Sequence, residues 1–235
     1  MTNREYVFAI VIAILFAYVI LAVIPPTLAV IGKSNLGIFA ADSKPNGLPY
    51  GQWTAKWWQW AYSIPKDVNP LTDTTGKNCA EGQTGPVWFL AGTTGGTAER
   101  TCTIPAGKAI LFPTIVSECS DAEYPGLTTE QQLRSCAVTQ NDRVNLAATV
   151  DGKTIQDLQT YRVQSPLFSF TVPTNNIVGI KGGTTTQGVS DGYWVFLQPL
   201  SAGNHNIHFS GLSTDVTGTS ASNYSTEVTY HLIVQ

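Results

Sequence analysis

The sequence predicts a mainly β protein: an antiparallel, jelly-roll-like β-sandwich with an N-terminal tryptophan-rich helix, one further short helix and an N-terminal transmembrane helix. Three observations support this prediction. Short stretches of alternating apolar and polar residues recur between turn-forming residues through most of the chain. Four of the six tryptophans lie in one short segment at helical spacing. An uninterrupted apolar run stands near the N-terminus.

The apolar run extends from Val7 to Ile24, and its 18 residues reach the length that spans a bilayer. Arg4 precedes the run, which favours an N-terminus on the cytoplasmic side. We therefore expect an uncleaved anchor over 1–31, a linker over 32–48 and a domain over 49–235 on the extracellular or periplasmic side of the cytoplasmic membrane. A cleaved signal peptide is the alternative, and it would make the domain a secreted protein.

The four cysteines are an even number and match no zinc-binding spacing. Three pairings are possible. Sequential pairing, Cys79 with Cys102 and Cys119 with Cys136, is the prediction because each bond closes a loop of moderate length, with a stabilisation of about 3 kcal/mol each. Disulfides agree with export, whereas reduced buried cysteines are the alternative.

The tryptophan-rich segment predicts a helix over roughly 51–63 that ends before the proline at 65. Trp53, Trp57 and Trp60 fall on one helical face, and we assign them to the core. Trp58 and Tyr62 fall on a second face and are the candidate ligand-binding residues. The favoured interpretation is that the helix plugs the open end or side of the β-sandwich. A ligand groove lined by Trp58 and Tyr62 and a helix lying on the membrane surface are the alternatives.

The rest of the chain predicts strands, one helix and two long loops. The first two strands after the tryptophan-rich helix are expected to be antiparallel to each other, and Pro113 marks an edge or a bulge in the third. Thr128 and Gln131 have the spacing of a capping box, which predicts a helix from 128 to about 140. Strands are expected near 86–91, 100–104, 108–116, 145–150, 153–155, 161–163, 167–172, 177–180, 193–197, 204–210 and 224–234, with loops at 64–85 and 182–192.

Charge and histidine placement argue against nucleic-acid and transition-metal binding. The formal net charge is −3 and no basic patch is present, so no nucleic-acid partner is expected. A hairpin between 204–210 and 223–234 would separate His208 from His231 by about 20 Å, so we predict no metal site from them. No cofactor is expected. Calcium could nevertheless bind in the 64–85 loop, where the side chains with oxygen ligands are those of Asp67, Asn69, Asp73 and Asn78.

Two further patterns bear on catalysis. Glu118, Asp121 and Glu123 cluster after a predicted strand, and an acid pair can perform general acid/base chemistry, although such clusters are also common in solvated loops. The segment 188–192 matches the G-x-S-x-G pattern around Ser190. A nucleophile elbow needs a strand before the serine and a helix after it, whereas the sequence predicts a loop before Ser190 and a strand after it. We therefore reject a serine nucleophile.

Several phrases resemble a family of uncharacterised exported prokaryotic proteins. They are Trp53-x3-Trp57-Trp58-x-Trp60-x2-Ser63-Ile-Pro65, Asn69-Pro-Leu71, Cys79, Gly85-Pro-Val-Trp-Phe-Leu-Ala-Gly92, Cys102-x-Ile-Pro-Ala-Gly-Lys-Ala109, Phe112-Pro113, Asp191-Gly-Tyr-Trp194, Pro199-Leu200 and Gly203-x-His205. The resemblance covers roughly 50–235. It implies export and a shared domain, and it brings no catalytic residues because no activity is established for the family.

These observations favour a membrane-anchored binding or envelope-associated module. A carbohydrate or another cell-envelope polymer is the expected partner, because exposed aromatic rings stack on sugar faces. One alternative is a cell-envelope hydrolase that uses the acidic pair among Glu118, Asp121 and Glu123. The other is a purely structural envelope protein.

Overall fold

A computed structural model gives the fold of residues 36–214 and 223–235, which are the described residues of this chain. The predicted anchor at 1–31 and the first residues of the predicted linker lie outside these ranges. Within the described ranges, no helix has both the length and the apolarity needed to cross a bilayer.

The described residues form ten β-strands and two α-helices, with short 3-10 turns at Pro45–Gly47, Lys66–Val68 and Leu158–Tyr161. The helices are α1 (Tyr50–Ser63) and α2 (Glu130–Thr139). The strands are β1 (Val87–Phe89), β2 (Gly96–Ile104), β3 (Ala109–Ser120), β4 (Val144–Val150), β5 (Lys153–Thr154), β6 (Arg162–Gln164), β7 (Phe168–Thr171), β8 (Thr185–Leu197), β9 (Gly203–Ser213) and β10 (Tyr224–Val234). The mainly β prediction with two helices is confirmed over this part of the chain.

The strands form two five-stranded sheets. Sheet A has the order β1-β3-β8-β6, with β7 also paired to β8, and sheet B has the order β2-β10-β9-β4-β5. Both sheets are mixed, since β1 pairs with β3 in parallel and β2 pairs with β10 in parallel. The prediction of purely antiparallel sheets is therefore wrong. β1 and β2 are also not antiparallel neighbours, because the chain crosses from sheet A to sheet B between them.

The two sheets pack face to face around one apolar core. Phe112 of sheet A stacks on Phe209 of sheet B, with ring centroids 4.9 Å apart. Val195 and Ile207 are fully buried in the same cluster. Burying this much aliphatic and aromatic surface is the main driving force for closing the sandwich. Buried and less buried residues alternate along β9 and β10, because every second side chain of a strand faces the core.

Helix α1 covers the other face of sheet A, where it contacts β6, β7 and β8. Trp53, Trp57 and Trp60 are buried, as their helical spacing predicts. Each of these indoles also donates its N–H to a backbone carbonyl at 2.7–3.0 Å, which satisfies the polar end of a buried tryptophan. Residues 36–214 and 223–235 are thus layered as helix, sheet A and sheet B.

Strand β8 replaces most of the loop that the glycine-rich sequence predicts at 182–192. Gly188 and Gly192 lie inside the strand at places where neighbouring atoms come too close for a side chain. A Cβ at Gly192 would stand 2.5 Å from the carbonyl oxygen of Ile115. The glycines therefore permit close approach within a sheet, a role that composition cannot distinguish from loop flexibility. The predicted bulge at Pro113 is confirmed by a register shift between Pro113 and Ile115.

Both predicted disulfides are present. Cys79 bonds to Cys102, which ties the 64–85 loop to β2, and Cys119 bonds to Cys136, which ties β3 to α2. The capping residue of helix α2 lies one position later than predicted, since the capping box uses Thr129 with Gln132 in place of Thr128 with Gln131. The two disulfides indicate an oxidising, extracytoplasmic environment.

The hairpin of β9 and β10 has a different register from the predicted one. Strand β9 continues to Ser213, so His208 pairs with Thr229 and Asn206 pairs with His231. The two histidines consequently lie diagonally next to each other on the outer face of sheet B. The predicted separation of about 20 Å is wrong because the sequence pattern ended β9 three residues too early.

Candidate functional site

The three acidic residues singled out in the sequence lie at the end of β3 and in the turn that follows it. The N–H of Tyr124 donates to the carbonyl of Ser120 at 2.9 Å and closes this turn. The turn folds Glu123 back over the strand, where Ser120 Oγ donates to its Oε2 at 2.7 Å. Glu118 is buried, Glu123 is half-buried and Asp121 is exposed. We call this group of three carboxyl side chains the carboxyl site.

Glu118 and Glu123 form a carboxyl pair at the centre of this site. The carboxyl group of Glu123 lies close enough to oppose the ionisation of Glu118. Tyr62 also donates its hydroxyl to Glu118 Oε2 at 3.2 Å. Burial raises the pKa of Glu118 to about 10, and the neighbouring Glu123 carboxyl adds to the shift. Glu118 is therefore a neutral acid at physiological pH.

The inner wall of the carboxyl site is formed by β8. Gly188 makes room for Glu118, because a Cβ there would overlap Oε1 of the carboxyl group. Ser190 lies directly across from Glu118 in the β3–β8 pairing. Its hydroxyl and Glu118 Oε1 are both buried and have no hydrogen-bond partner among the described residues. Two polar atoms without partners at adjacent positions are unusual in a folded core.

The outer rim of the carboxyl site is accessible to solvent. Asp121 Oδ1 accepts hydrogen bonds from the hydroxyl of Thr186 and from the N–H of Gln187. Tyr124 is 42% exposed, so its ring is available at the surface. Burial of part of the side chain and the neighbouring Glu123 carboxyl raise the pKa of the Tyr124 hydroxyl. The rim thus combines an exposed aromatic ring with two carboxyl groups.

Trp58 and Tyr62 lie under the carboxyl site and do not reach the surface. They are only 8% and 7% exposed, and their rings pack against each other with centroids 5.0 Å apart. Neither ring offers a free face, so the basis for sugar stacking on this pair is removed. The angular spacing that separated them from the core face was correct, but β3 and β7 cover that second face too.

The side chains considered for calcium in the 64–85 loop make local hydrogen bonds. Asn69 Nδ2 donates to two carbonyls at the end of α1, at 2.8 and 2.9 Å. Asp73 accepts from the N–H groups of Thr75 and Asn78 and from the Thr75 hydroxyl. In residues 36–214 and 223–235, no three His, Cys, Asp or Glu side chains converge in metal-binding geometry.

Sequence reasoning found the carboxyl site but missed several of its features. Tyr124 follows Glu123 directly, and an aromatic residue next to an acidic one in a turn was a usable signal for the rim. Ser190 was rejected as a nucleophile, and its position inside β8 confirms that it is not on an elbow. The position of Ser190 opposite Glu118 had no sequence signal, because it depends on the pairing of β3 with β8.

Comparisons with known proteins give little further information. No family model matches this chain, and no curated protein matches it. Among solved structures, the solution structure of Amebosin is similar over 59% of this chain and 96% of that chain, with 10% identity and a TM-score of 0.17. A TM-score this low supports no conclusion about fold or function.

Proposed function

We propose that this chain is an exported, membrane-anchored cell-envelope protein whose carboxyl site binds a carbohydrate-containing envelope polymer. The observation that carries the proposal is the rim of the site, where the exposed ring of Tyr124 stands beside Glu123, with Asp121 in the same turn. A tyrosine ring stacks on the apolar face of a sugar. The carboxyl groups accept hydrogen bonds from sugar hydroxyls, and bonds of this kind to an ionised acceptor are strong.

Export and anchoring are supported by two features. The disulfides agree with an oxidising compartment, and the apolar run at 7–24 has the length of a membrane span. We also infer that the chain belongs with the exported prokaryotic family that its tryptophan-rich phrase resembles. Two five-stranded sheets packed face to face are compatible with a jelly-roll-like ancestry.

A glycan array probed with the full-length protein in detergent tests the binding proposal. We expect wild-type protein to bind a subset of envelope-type glycans and Tyr124→Ala to lose that binding. Tyr224→Ala is the matched control, because Tyr224 is 39% exposed but lies on β10 of sheet B, whereas the carboxyl site is on sheet A. Binding that survives Tyr124→Ala, or no binding to any glycan, contradicts the proposal and favours a purely structural envelope protein.

A second candidate function is hydrolysis of an envelope polymer at the same site. The pairing of Glu118 with Glu123 favours it, because a neutral carboxyl beside a second carboxyl is a general acid next to a base. Glycosidases and acid proteases both use a neutral carboxyl beside a second carboxyl, so both classes of substrate are tested.

Incubation of the purified protein with envelope polysaccharide and with envelope peptide tests this second candidate. We expect release of reducing ends or of new amino termini by wild-type protein and its loss in Glu123→Gln. A product that forms equally with Glu123→Gln would show that the activity belongs to a contaminant or to another site.

A further inference from the structure

Four ionisable side chains surround Thr229 on the outer face of sheet B. Glu99 of β2 pairs with Thr229 on one side, and His208 of β9 pairs with it on the other. Glu227 and His231 lie two residues before and after Thr229 on β10, so they project from the same face of the sheet. Three adjacent strands thus place two imidazoles and two carboxylates around one small residue.

The two histidines already pair with the two carboxylates. His231 Nε2 lies 2.9 Å from Glu99 Oε1, and His208 Nε2 lies 3.7 Å from Glu227 Oε1. Glu99 and Glu227 are exposed, and the two histidines are half-buried. Beside these two histidines, the outward-facing positions of β2, β9 and β10 carry no other cationic side chain within the described ranges.

The other ring nitrogen of each histidine is held by a neutral oxygen. His231 Nδ1 lies 2.7 Å from Asn206 Oδ1, and His208 Nδ1 lies 3.1 Å from Thr229 Oγ1. Because the Asn206 oxygen only accepts, His231 donates to it from Nδ1, and a bound metal ion would take the place of the hydrogen between Nε2 and Glu99. In metal sites, a hydrogen bond at one ring nitrogen of a histidine commonly fixes the orientation of the ring, and the other nitrogen binds the metal.

We propose that Glu99, His208, Glu227 and His231 form a binding site for a borderline divalent transition metal, with Zn²⁺ as the reference ion. Imidazole nitrogen combined with carboxylate oxygen suits this class of ion, whereas calcium prefers oxygen alone. Two ligands at about 2.0–2.1 Å from a tetrahedral zinc are separated by about 3.4 Å. The two nitrogen–oxygen distances in the structure, 2.9 and 3.7 Å, fall on either side of that value.

Binding of one ion requires side-chain rotation and leaves the strands in place. No three of these side chains meet in the conformations of the described structure. Their Cα positions are fixed by the pairing of β2, β10 and β9, and Thr229 between them is small enough for the longer side chains to reach over it. The site is separate from the carboxyl site, which lies on sheet A, so the two proposals fail independently.

Titration of the full-length protein with Zn²⁺ by calorimetry and by equilibrium dialysis tests the proposal. We expect one ion per chain with micromolar affinity. His208→Ala and His231→Ala are each expected to weaken binding at least about a hundredfold, since loss of even an outer partner weakens metal binding about 10–100-fold. His205→Ala is the matched control, because His205 lies on the same strand but bonds to Asp151 outside the group.

The proposal is supported only if both ligand variants lose binding while the control retains wild-type affinity and near-ultraviolet circular dichroism shows that all three are folded. It is overturned if the wild-type protein takes up no Zn²⁺ saturably. It is also overturned if two ions bind independently, or if His205→Ala weakens binding as much as the other variants.

Discussion

Replacement of Glu118 by glutamine should remove most of the pH dependence of stability above about pH 5. The pKa of Glu118 rises from 4.5 to about 10 on folding, so the folded protein holds a proton that the unfolded chain releases through this range. The stabilisation is complete below the unfolded pKa and is lost as the pH rises towards the folded pKa. Glutamine is neutral throughout and nearly the same size.

The magnitude follows from linkage. One proton held only by the folded state lowers the free energy of unfolding by about 1.4 kcal/mol for each pH unit. Between about pH 5 and about pH 8 the wild-type protein should lose roughly 4 kcal/mol through this group. Partial burial opposes ionisation of Asp73 and Asp151, but hydrogen bonds hold the pKa of each carboxyl below its ordinary value. Both groups are therefore already ionised at the lower pH of the comparison and do not contribute to the change.

Urea denaturation of wild type and Glu118→Gln at about pH 5 and about pH 8 measures the effect. The two proteins should have similar stability at the lower pH, and the variant should be more stable by roughly 4 kcal/mol at the higher pH. Burial lowers the pKa of His205, but its bond to Asp151 outweighs this effect and raises the pKa. His205 therefore also makes the protein less stable as the pH rises, so the effect of Glu118 must be measured as the difference between wild type and variant. Glu81→Gln removes an exposed carboxylate and serves as the control.

Parallel stability curves for wild type and Glu118→Gln would refute this reasoning. They would mean that Glu118 is ionised in the folded protein and that its burial is relieved by water or a counter-ion. An effect of Glu123→Gln equal to that of Glu118→Gln would instead assign the shared proton to the pair as a unit.

Three other substitutions test the packing around the carboxyl site, each by chemical denaturation. Trp57→Phe should cost about 1–2 kcal/mol more than Trp58→Phe, because only the Trp57 indole donates a hydrogen bond; equal losses would contradict this. Gly188→Ala should cost about 1–3 kcal/mol through overlap with Glu118, and the cost should shrink by about 1 kcal/mol or more in Glu118→Ala; additive losses would exclude that contact. Ser190→Ala should be neutral or stabilising by up to about 1 kcal/mol, since its hydroxyl has no partner among the described residues; a loss above about 1 kcal/mol would reveal one.

Local patterns in the sequence predicted the features that depend on neighbouring residues. Helix α1, the bulge at Pro113 and the hairpin of β4 with β5 follow from spacing and turn chemistry, and all three are present. The two disulfides were also predicted from loop length. Signals of this kind lie within a few turns of chain, so a single sequence carries them.

The features that were missed depend on distant contacts. The parallel pairing of β2 with β10 joins strands far apart in the chain, and no local pattern reports it. The burial of Trp58 and Tyr62 depends on sheet A covering a second face of α1. His208 lies near His231 because of the pairing register of β9 with β10. The sequence did not predict this register, because β9 extends beyond the apolar residues that indicated it.

The position of β10 within sheet B has a consequence for how the chain folds during export. In chain order β10 follows all the other strands of its sheet, yet it lies between β2 and β9. If the chain is exported as proposed, Cys79–Cys102 and Cys119–Cys136 can close before β10 emerges, because all four cysteines precede that strand. Strand β2 must then wait without its partner until Leu232 arrives beside Cys102. The disulfides hold the early segments together during translocation, when an unpaired strand edge is most exposed to aggregation.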